Sequence, residues 1–384
     1  MPVFASAPPP IWDIFCRVVD NYGDIGVCWR LARQLAGERG LQVRLWVDDL
    51  LALEKLRGPT PEKCLSSNEI KVFTWDQAES EVSPGDVVIE AFACELPQSF
   101  LARMALQVKA PLWINLEYLS AERWVEACHG LPSPHPSLPL RKFFFFPGFT
   151  PATGGLLREQ DLLARRDAFQ SDPAAVQAWW ASMGGKDCWG DRLNLSLFTY
   201  EVAGIGAWLD RLAGGARPVR LLVPEGRALA AVASWFGEPD PRPGQAWRRG
   251  QLACHVLPFV AQPDYDALLW ACDVNLVRGE DSFVRAQWAG RPFLWHIYQQ
   301  DEAAHVAKLE AFLARYRVGL EAGPASALAD FWRAWDRQAG LDAVWTDFMG
   351  VLPELAEHAR AWAWALAEQP DLVRNLVNFC AKAV

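Results

Sequence analysis

Five residues late in the chain, Arg278-Gly279-Glu280-Asp281-Ser282, have the make-up of an anion site. They follow a strand-like run, Ala271 to Val277, and precede a helix-like run, Phe283 to Trp288. The first N–H groups of a helix lack intrahelical acceptors and sit at the positive end of its dipole, so a strand, a short turn and a helix start present donors to an anion. Arg278 adds a planar cation suited to phosphate oxygens. The same residues also read as an ordinary surface helix with Asp281 or Ser282 as its N-cap. A second candidate lies near the start, Asp20-Asn21-Tyr22-Gly23-Asp24-Ile25-Gly26, between an apolar run at Trp12 to Val19 and a helical pattern from Val27 through Leu35. It is not G-x-G-x-x-G, and its two carboxylates would repel a pyrophosphate and attract a cation. Asp24 or Asn21 as a simple helix cap is the plainer alternative.

The elements that must position these residues alternate. In the first half, strands are expected at Gln42 to Val47, Lys71 to Trp75, Asp86 to Phe92, Leu112 to Leu116 and Lys142 to Phe146, with helices at Leu50 to Leu56 and Ser99 to Leu106. Leu131 to Leu140 reads as a loop and Pro147 to Gly155 as a flexible segment. A second series follows, with strands at Arg192 to Thr199, Val219 to Val223, Leu252 to Leu257, Asp273 to Val277 and Phe293 to Ile297. Helices are expected at Asp161 to Phe169, Pro173 to Ser182, Ile205 to Leu212, Arg227 to Phe236 and Tyr265 to Trp270. Such alternation predicts α/β architecture with parallel sheets covered on both faces. The expected division is 1–170 and 171–365, two Rossmann-like units facing across a cleft, with the last helix, 366–384, crossing back onto the first. In open α/β sheets ligands lie at the C-terminal ends of strands. That edge would carry Asp20 and Asp24 in one unit and Arg278 to Ser282 in the other. Glu90, Glu95 and Glu117-Tyr118 end further strands and would support an acidic wall. Phe198, Tyr200 and Phe259 would offer flat apolar faces to a base or sugar, or serve as core.

Composition excludes several classes. A chain of 384 residues with 51% hydrophobic and 22% charged residues is a packed protein of two domains. A net charge of -9 argues against nucleic acid as the main partner. The nine Cys are scattered, with no C-x-x-C or Cys/His cluster, so buried thiols are expected rather than zinc ligands. The start lacks the charged and long apolar regions of a secretory signal, and no 18-residue apolar run suggests a membrane span. Cytoplasm is the expected location.

The motifs Asp20 to Gly26, Ile89-Glu90-Ala91-Phe92, Asn115 to Ser120, Phe146 to Thr150, Thr153 to Arg158 and Arg278 to Ser282 recur together in one family. From about Trp12 to the C-terminus the chain resembles the bacterial protein-arginine rhamnosyltransferases of elongation factor P, the EarP family. The resemblance implies a GT-B fold. It also implies transfer of rhamnose from dTDP-β-L-rhamnose to one arginine of elongation factor P, with inversion and without a metal ion or other cofactor. Carried over by position, Asp20, Asp24 and Glu280 are the implied catalytic residues, Asp20 acting on the acceptor with Asp24 beside it. Phe198, Tyr200, Phe259, Gln262, Arg278, Glu280, Asp281 and Ser282 are the implied donor-binding residues, with Phe259 stacking on thymine. Elongation factor P is the implied protein partner, with no nucleic acid or membrane involved.

The chemistry agrees with these residue types. A guanidinium stays protonated near neutrality and is a poor nucleophile, so a carboxylate must hold it, localise its charge and accept a proton. A nucleoside diphosphate leaves as a stable anion and needs positive potential more than a strong acid. Two other functions share parts of this pattern. A nicotinamide-dependent oxidoreductase would share the Rossmann-like pattern but lacks the G-x-G-x-x-G loop. A noncatalytic sugar-nucleotide or partner-binding protein would bind donor without consuming it.

Overall fold

The computed structural model describes residues 9–19, 22–58, 70–79, 82–185, 192–299 and 304–383. The chain divides into two compact units, one running to Gln160 and resuming at Gln369, the other spanning Asp161–Glu368. Helix Leu162–Ser171 belongs to the second unit because its buried Arg166 donates to the Trp288 carbonyl (2.9 Å) and Gln170 donates to Ala289 O (3.0 Å).

The first unit holds seven strands: β1 Ile11–Cys16, β2 Gln42–Val47, β3 Ile70–Thr74, β4 Val87–Ala91, β5 Leu112–Leu116, β6 Pro132–Pro134 and β7 Arg141–Phe145. Their order is β3-β2-β1-β4-β5-β7-β6, parallel throughout except for β6 against β7. Strands β1 and β4 are apolar along nearly their whole length because helices cover both faces of the sheet. The exception in β1 is Asp13, fully buried. Its carboxylate accepts two hydrogen bonds from Arg44 (2.6 Å each), one from Trp46 Nε1 (2.8 Å) and one from Gly85 N (2.7 Å). Gly85 is required there, since a Cβ would stand 2.5 Å from the Ile11 carbonyl oxygen. Helix Gly23–Arg39 follows β1 and stops at Gly40, whose left-handed backbone (φ 63°) returns its N–H to Ala36 O. The C-terminal helix Leu372–Ala383 contributes Leu372, Val373, Leu376 and Cys380 to this unit's core, beside Ile14, Leu31 and Ile114.

The second unit has six strands: β8 Leu193–Leu197, β9 Val219–Pro224, β10 Ala246–Arg249, β11 Leu252–Leu257, β12 Val274–Arg278 and β13 Phe293–His296. Their order is β10-β11-β9-β8-β12-β13, again parallel apart from the outermost hairpin strand β10. Much of the tryptophan content is core here. Phe283 stacks on Trp295 (4.0 Å between centroids), Phe312 stacks on Trp332, and Trp208 meets Trp335 and Trp345 edge to face.

Two segments differ from expectation. The stretch 131–140 is not all loop, because Pro132–Pro134 pairs antiparallel with β7 at the sheet edge, where proline's missing N–H is tolerated. The segment 147–155 is tied down rather than loose. Gly154 N donates to Phe146 O (2.7 Å), Thr150 Oγ1 donates to Glu126 (3.1 Å), and Asn375 Nδ2 donates to Gly154 O (3.1 Å).

Candidate active site

Each sheet has one point at which the chain reverses direction across it. In the second unit β8 leads outward to β9 and β11, then β12 returns on the other side of β8. A crevice opens at the carboxyl ends of two strands that diverge in this way. Residues after β8 supply Phe198 and Tyr200, and the end of β12 supplies Arg278. The Arg278 guanidinium is buried and lies 4.9 Å from the ring centres of both Phe198 and Tyr200. Its Nη1 has no hydrogen-bond partner among the described residues. A buried cation with an unanswered donor, held between aromatic rings, is built to meet an anion.

After Arg278 the chain turns at Gly279 (φ 60°), whose carbonyl accepts from Trp295 Nε1 (2.8 Å). Helix Asp281–Trp288 then starts, with Glu280 at its N-cap position and no side-chain cap. Neither Asp281 nor Ser282 caps it. Ser282 Oγ donates instead to the Arg278 carbonyl. Asp281 is buried and accepts from Gln262 Nε2 and Arg285 Nε, each at 2.9 Å. Arg285 in turn reaches Asp266 (2.9 Å), and Glu280 pairs with Lys308 (3.1 Å). The two acids that would repel a diphosphate are therefore each answered by a cation. The net potential at the helix start is set by Arg278 and the backbone amides.

Gln262 opens helix Gln262–Ala271 rather than closing a loop, and is buried against Asp281. Phe259 is half-buried, its backbone N–H on Glu225 (3.1 Å). Beside Tyr200 a cavity of about 720 Å³ is lined by Arg227, Trp235, His296 and Tyr298. Burial, reinforced by the Arg278 charge, pushes the His296 imidazole down to about 4, so it is neutral near pH 7. His296 carried no signal in the sequence beyond its place at the end of a predicted strand.

In the first unit the reversal falls between β1 and β4. Asp20 lies outside the described residues. Asp24, in the first turn of helix Gly23–Arg39, is buried, which suits a carboxylate fixed by hydrogen bonds. Its Oδ2 accepts from Val19 N (2.9 Å) and its Oδ1 from the Tyr118 hydroxyl (3.3 Å). The expected acidic wall does not form as such. Glu90 is buried and neutralised by Lys142 (3.1 Å) with Trp113 Nε1 (3.1 Å), a structural pairing. Glu117 is partly buried, takes a hydrogen bond from Asn115, and is held above the usual carboxylate range by desolvation. Cys16 and Cys28, behind Asp24, are buried thiols. Their mutual hydrogen bond and burial push Cys16 well up, and burial raises Cys28, so neither is a ready nucleophile. Among the described residues no group of His, Cys, Asp and Glu is arranged to hold a metal, and no helix is long and apolar enough to cross a membrane.

The whole chain superposes on MurG from Acinetobacter baumannii with a TM-score of 0.51 at 14% identity, covering 98% of this chain and 100% of that one. Two doubly wound units with this topology give the protein the GT-B fold. A structure described as the structural basis for EarP-mediated arginine glycosylation of translation elongation factor EF-P superposes more closely, with a TM-score of 0.72 at 41% identity over 98% of this chain and 100% of that chain. The protein-arginine rhamnosyltransferase of Pseudomonas putida is 54% identical over 370 residues, 96% of this chain and 98% of that protein. Its counterpart in Pseudomonas aeruginosa is 51% identical over 374 residues, with the same coverage. The model of the elongation-factor P rhamnosyltransferase family, EarP, matches residues 12–381, and the chain belongs to that family.

Proposed function

We propose that this protein transfers rhamnose from dTDP-β-L-rhamnose to an arginine side chain of translation elongation factor P, inverting the anomeric carbon and needing no metal ion. The observation that carries the proposal is Arg278, a buried guanidinium with an unanswered Nη1 at the reversal point of the second sheet. In this reading the diphosphate of the donor meets Arg278 and the backbone N–H groups of Asp281 and Ser282. Charge that would otherwise call for a metal is offset by the guanidinium and the helix dipole. Phe198, Tyr200 and Phe259 contact the nucleoside and sugar through their rings. Gln262 holds Asp281, and Asp281 and Glu280 act from positions fixed by Arg285 and Lys308.

The acceptor chemistry belongs to the first unit. Asp20 accepts a proton from the arginine guanidinium as a guanidine nitrogen forms its bond to the anomeric carbon. The carbon–oxygen bond to the diphosphate breaks, and dTDP leaves as an anion. One displacement inverts the configuration without a covalent sugar–enzyme intermediate. Asp24, fixed by Val19 N and Tyr118, keeps the negative potential beside Asp20. The reaction is placed in the cytoplasm, without membrane or nucleic acid.

The test is the intact mass of elongation factor P after incubation with the protein and dTDP-β-L-rhamnose, with and without a chelator. One deoxyhexose on one arginine, unaffected by chelation and α-linked by NMR, is the expected product. Donor binding without transfer would reduce the protein to a sugar-nucleotide binder, and a β-linked product would overturn inversion.

A further inference from the structure

Three side chains meet around the reversal point of the first sheet: Asp24 after β1, Phe92 after β4 and Tyr118 after β5. Tyr118 is 38% exposed although its ring lies stacked on Phe92, with centroids 4.4 Å apart and planes 18° from parallel. Its hydroxyl, at the ring's edge, donates to Asp24 Oδ1. The loop that carries Phe92 is unusual. Phe92 (φ 56°), Ala93 (φ 51°) and Glu95 (φ 56°) all occupy the left-handed region, which non-glycine residues seldom adopt. It is held there by Phe92 N on Leu116 O (2.7 Å), Ala93 N on Asn115 Oδ1 (3.1 Å) and Glu95 N on the anchored Glu90 (3.1 Å). A costly backbone and a polar network thus set one aromatic ring behind another beside the Asp24 carboxylate.

A partly exposed aromatic ring, with a carboxylate hydrogen-bonded at its hydroxyl edge, suits a planar cation. A guanidinium laid over the ring gains from the ring quadrupole while its N–H groups reach the carboxylate. An ammonium group has no plane to stack and keeps its water more firmly. Resting on the arginine transfer proposed above, we infer that Tyr118, backed by Phe92, is the shelf on which the acceptor guanidinium stacks beside Asp24. The shelf selects arginine over lysine and positions the arginine for attack. A role confined to orienting Asp24 would instead need only the hydroxyl.

The two are separated by steady-state transfer from dTDP-β-L-rhamnose with the full-length protein, varying elongation factor P. Tyr118→Ala should raise the acceptor KM about tenfold, the scale of a partly desolvated cation–aromatic contact. Tyr118→Phe, which keeps the ring and loses the hydroxyl, should hold that KM within roughly twofold of the parent. Tyr118→Leu, of similar bulk without a π face, should behave like Tyr118→Ala and stands in for it if alanine perturbs folding. The dTDP affinity should be unchanged in all three. A parent-like acceptor KM in the Ala and Leu variants, or an acceptor KM in the Phe variant raised as far as in Ala, overturns the shelf, whereas a fall in kcat alone in the Phe variant reports the lost bond to Asp24. Failure of the parent protein to transfer rhamnose at all would instead sink the function proposed above.

Discussion

Arg278 is the residue on which the proposed donor side turns. Its guanidinium is enclosed by Phe198 and Tyr200 and has an Nη1 that no described residue answers. Charge-assisted hydrogen bonds of this kind contribute about 1.5–3 kcal/mol, or roughly 10- to 100-fold in affinity. Arg278→Ala should therefore weaken dTDP binding by that factor in a calorimetric titration, and Arg278→Lys should recover only part of it, since a point charge cannot reproduce the planar fork. An alanine variant that binds dTDP like the parent would remove Arg278 from the site. His296 makes a separate prediction. Its folded value near 4 lies below the ordinary 6.5 because burial disfavours the imidazolium. The unfolded chain takes up a proton below about 6.5 while the folded one resists until about 4, so stability is fully present above that window and falls through it as pH drops. The loss reaches on the order of 3 kcal/mol. Urea unfolding of His296→Gln should show a correspondingly shallower decline between pH 6.5 and 4 than the parent, and equal declines would contradict the assignment.

At the scale of elements, the alternation of strands and helices was legible because parallel strands buried on both faces read as continuous apolar runs. β2, β5 and β11 have the bounds that composition suggests. The short edge strands were not legible. Pro132–Pro134 carries turn residues, and Ala246–Arg249 is charged and largely exposed, so each is made a strand only by the partner beside it. For the motif Arg278 to Ser282 the capping alternative was not met: Asp281 and Ser282 turn to Gln262, Arg285 and the Arg278 carbonyl, contacts that sequence spacing alone does not reveal. Tyr118 was visible as a residue ending a strand and as part of the motif Asn115 to Ser120. Its stack on Phe92 depends on left-handed backbone at 92 and 93, for which non-glycine sequence gives no sign. The same logic identifies the joint of the first sheet. Asp13 ties β1 to Arg44 and Trp46 on β2 and to Gly85 before β4. Asp13→Ala would leave buried Trp46 Nε1, Gly85 N and the half-buried Arg44 without the carboxylate they share and should destabilise the protein by about 3–5 kcal/mol in denaturant unfolding. A change below 1 kcal/mol would show these groups to be solvated.

At the scale of the whole molecule, the chain makes one doubly wound unit, then a second, and returns at Gln369 to finish the first. The returning helix Leu372–Ala383 has no independent core, since its apolar face is Leu372, Val373, Leu376 and Cys380 packed among residues of β1, β5 and helix Gly23–Arg39. Removing residues 369–384 should expose that face and lower the melting temperature of the protein by at least several degrees, with loss of soluble yield. An unchanged melting temperature would mean that the helix is an appendage. In the function proposed above the same arrangement divides the chemistry, with the carboxylates proposed for the acceptor arginine in the first unit and the cation proposed for the diphosphate in the second. The most direct measurement of that division is a paired assay on Asp20→Asn, recording dTDP affinity and rhamnose transfer to elongation factor P. The expected result is a dTDP affinity within about twofold of the parent and no detectable deoxyhexose on the acceptor. Transfer at the parental rate by Asp20→Asn would contradict it.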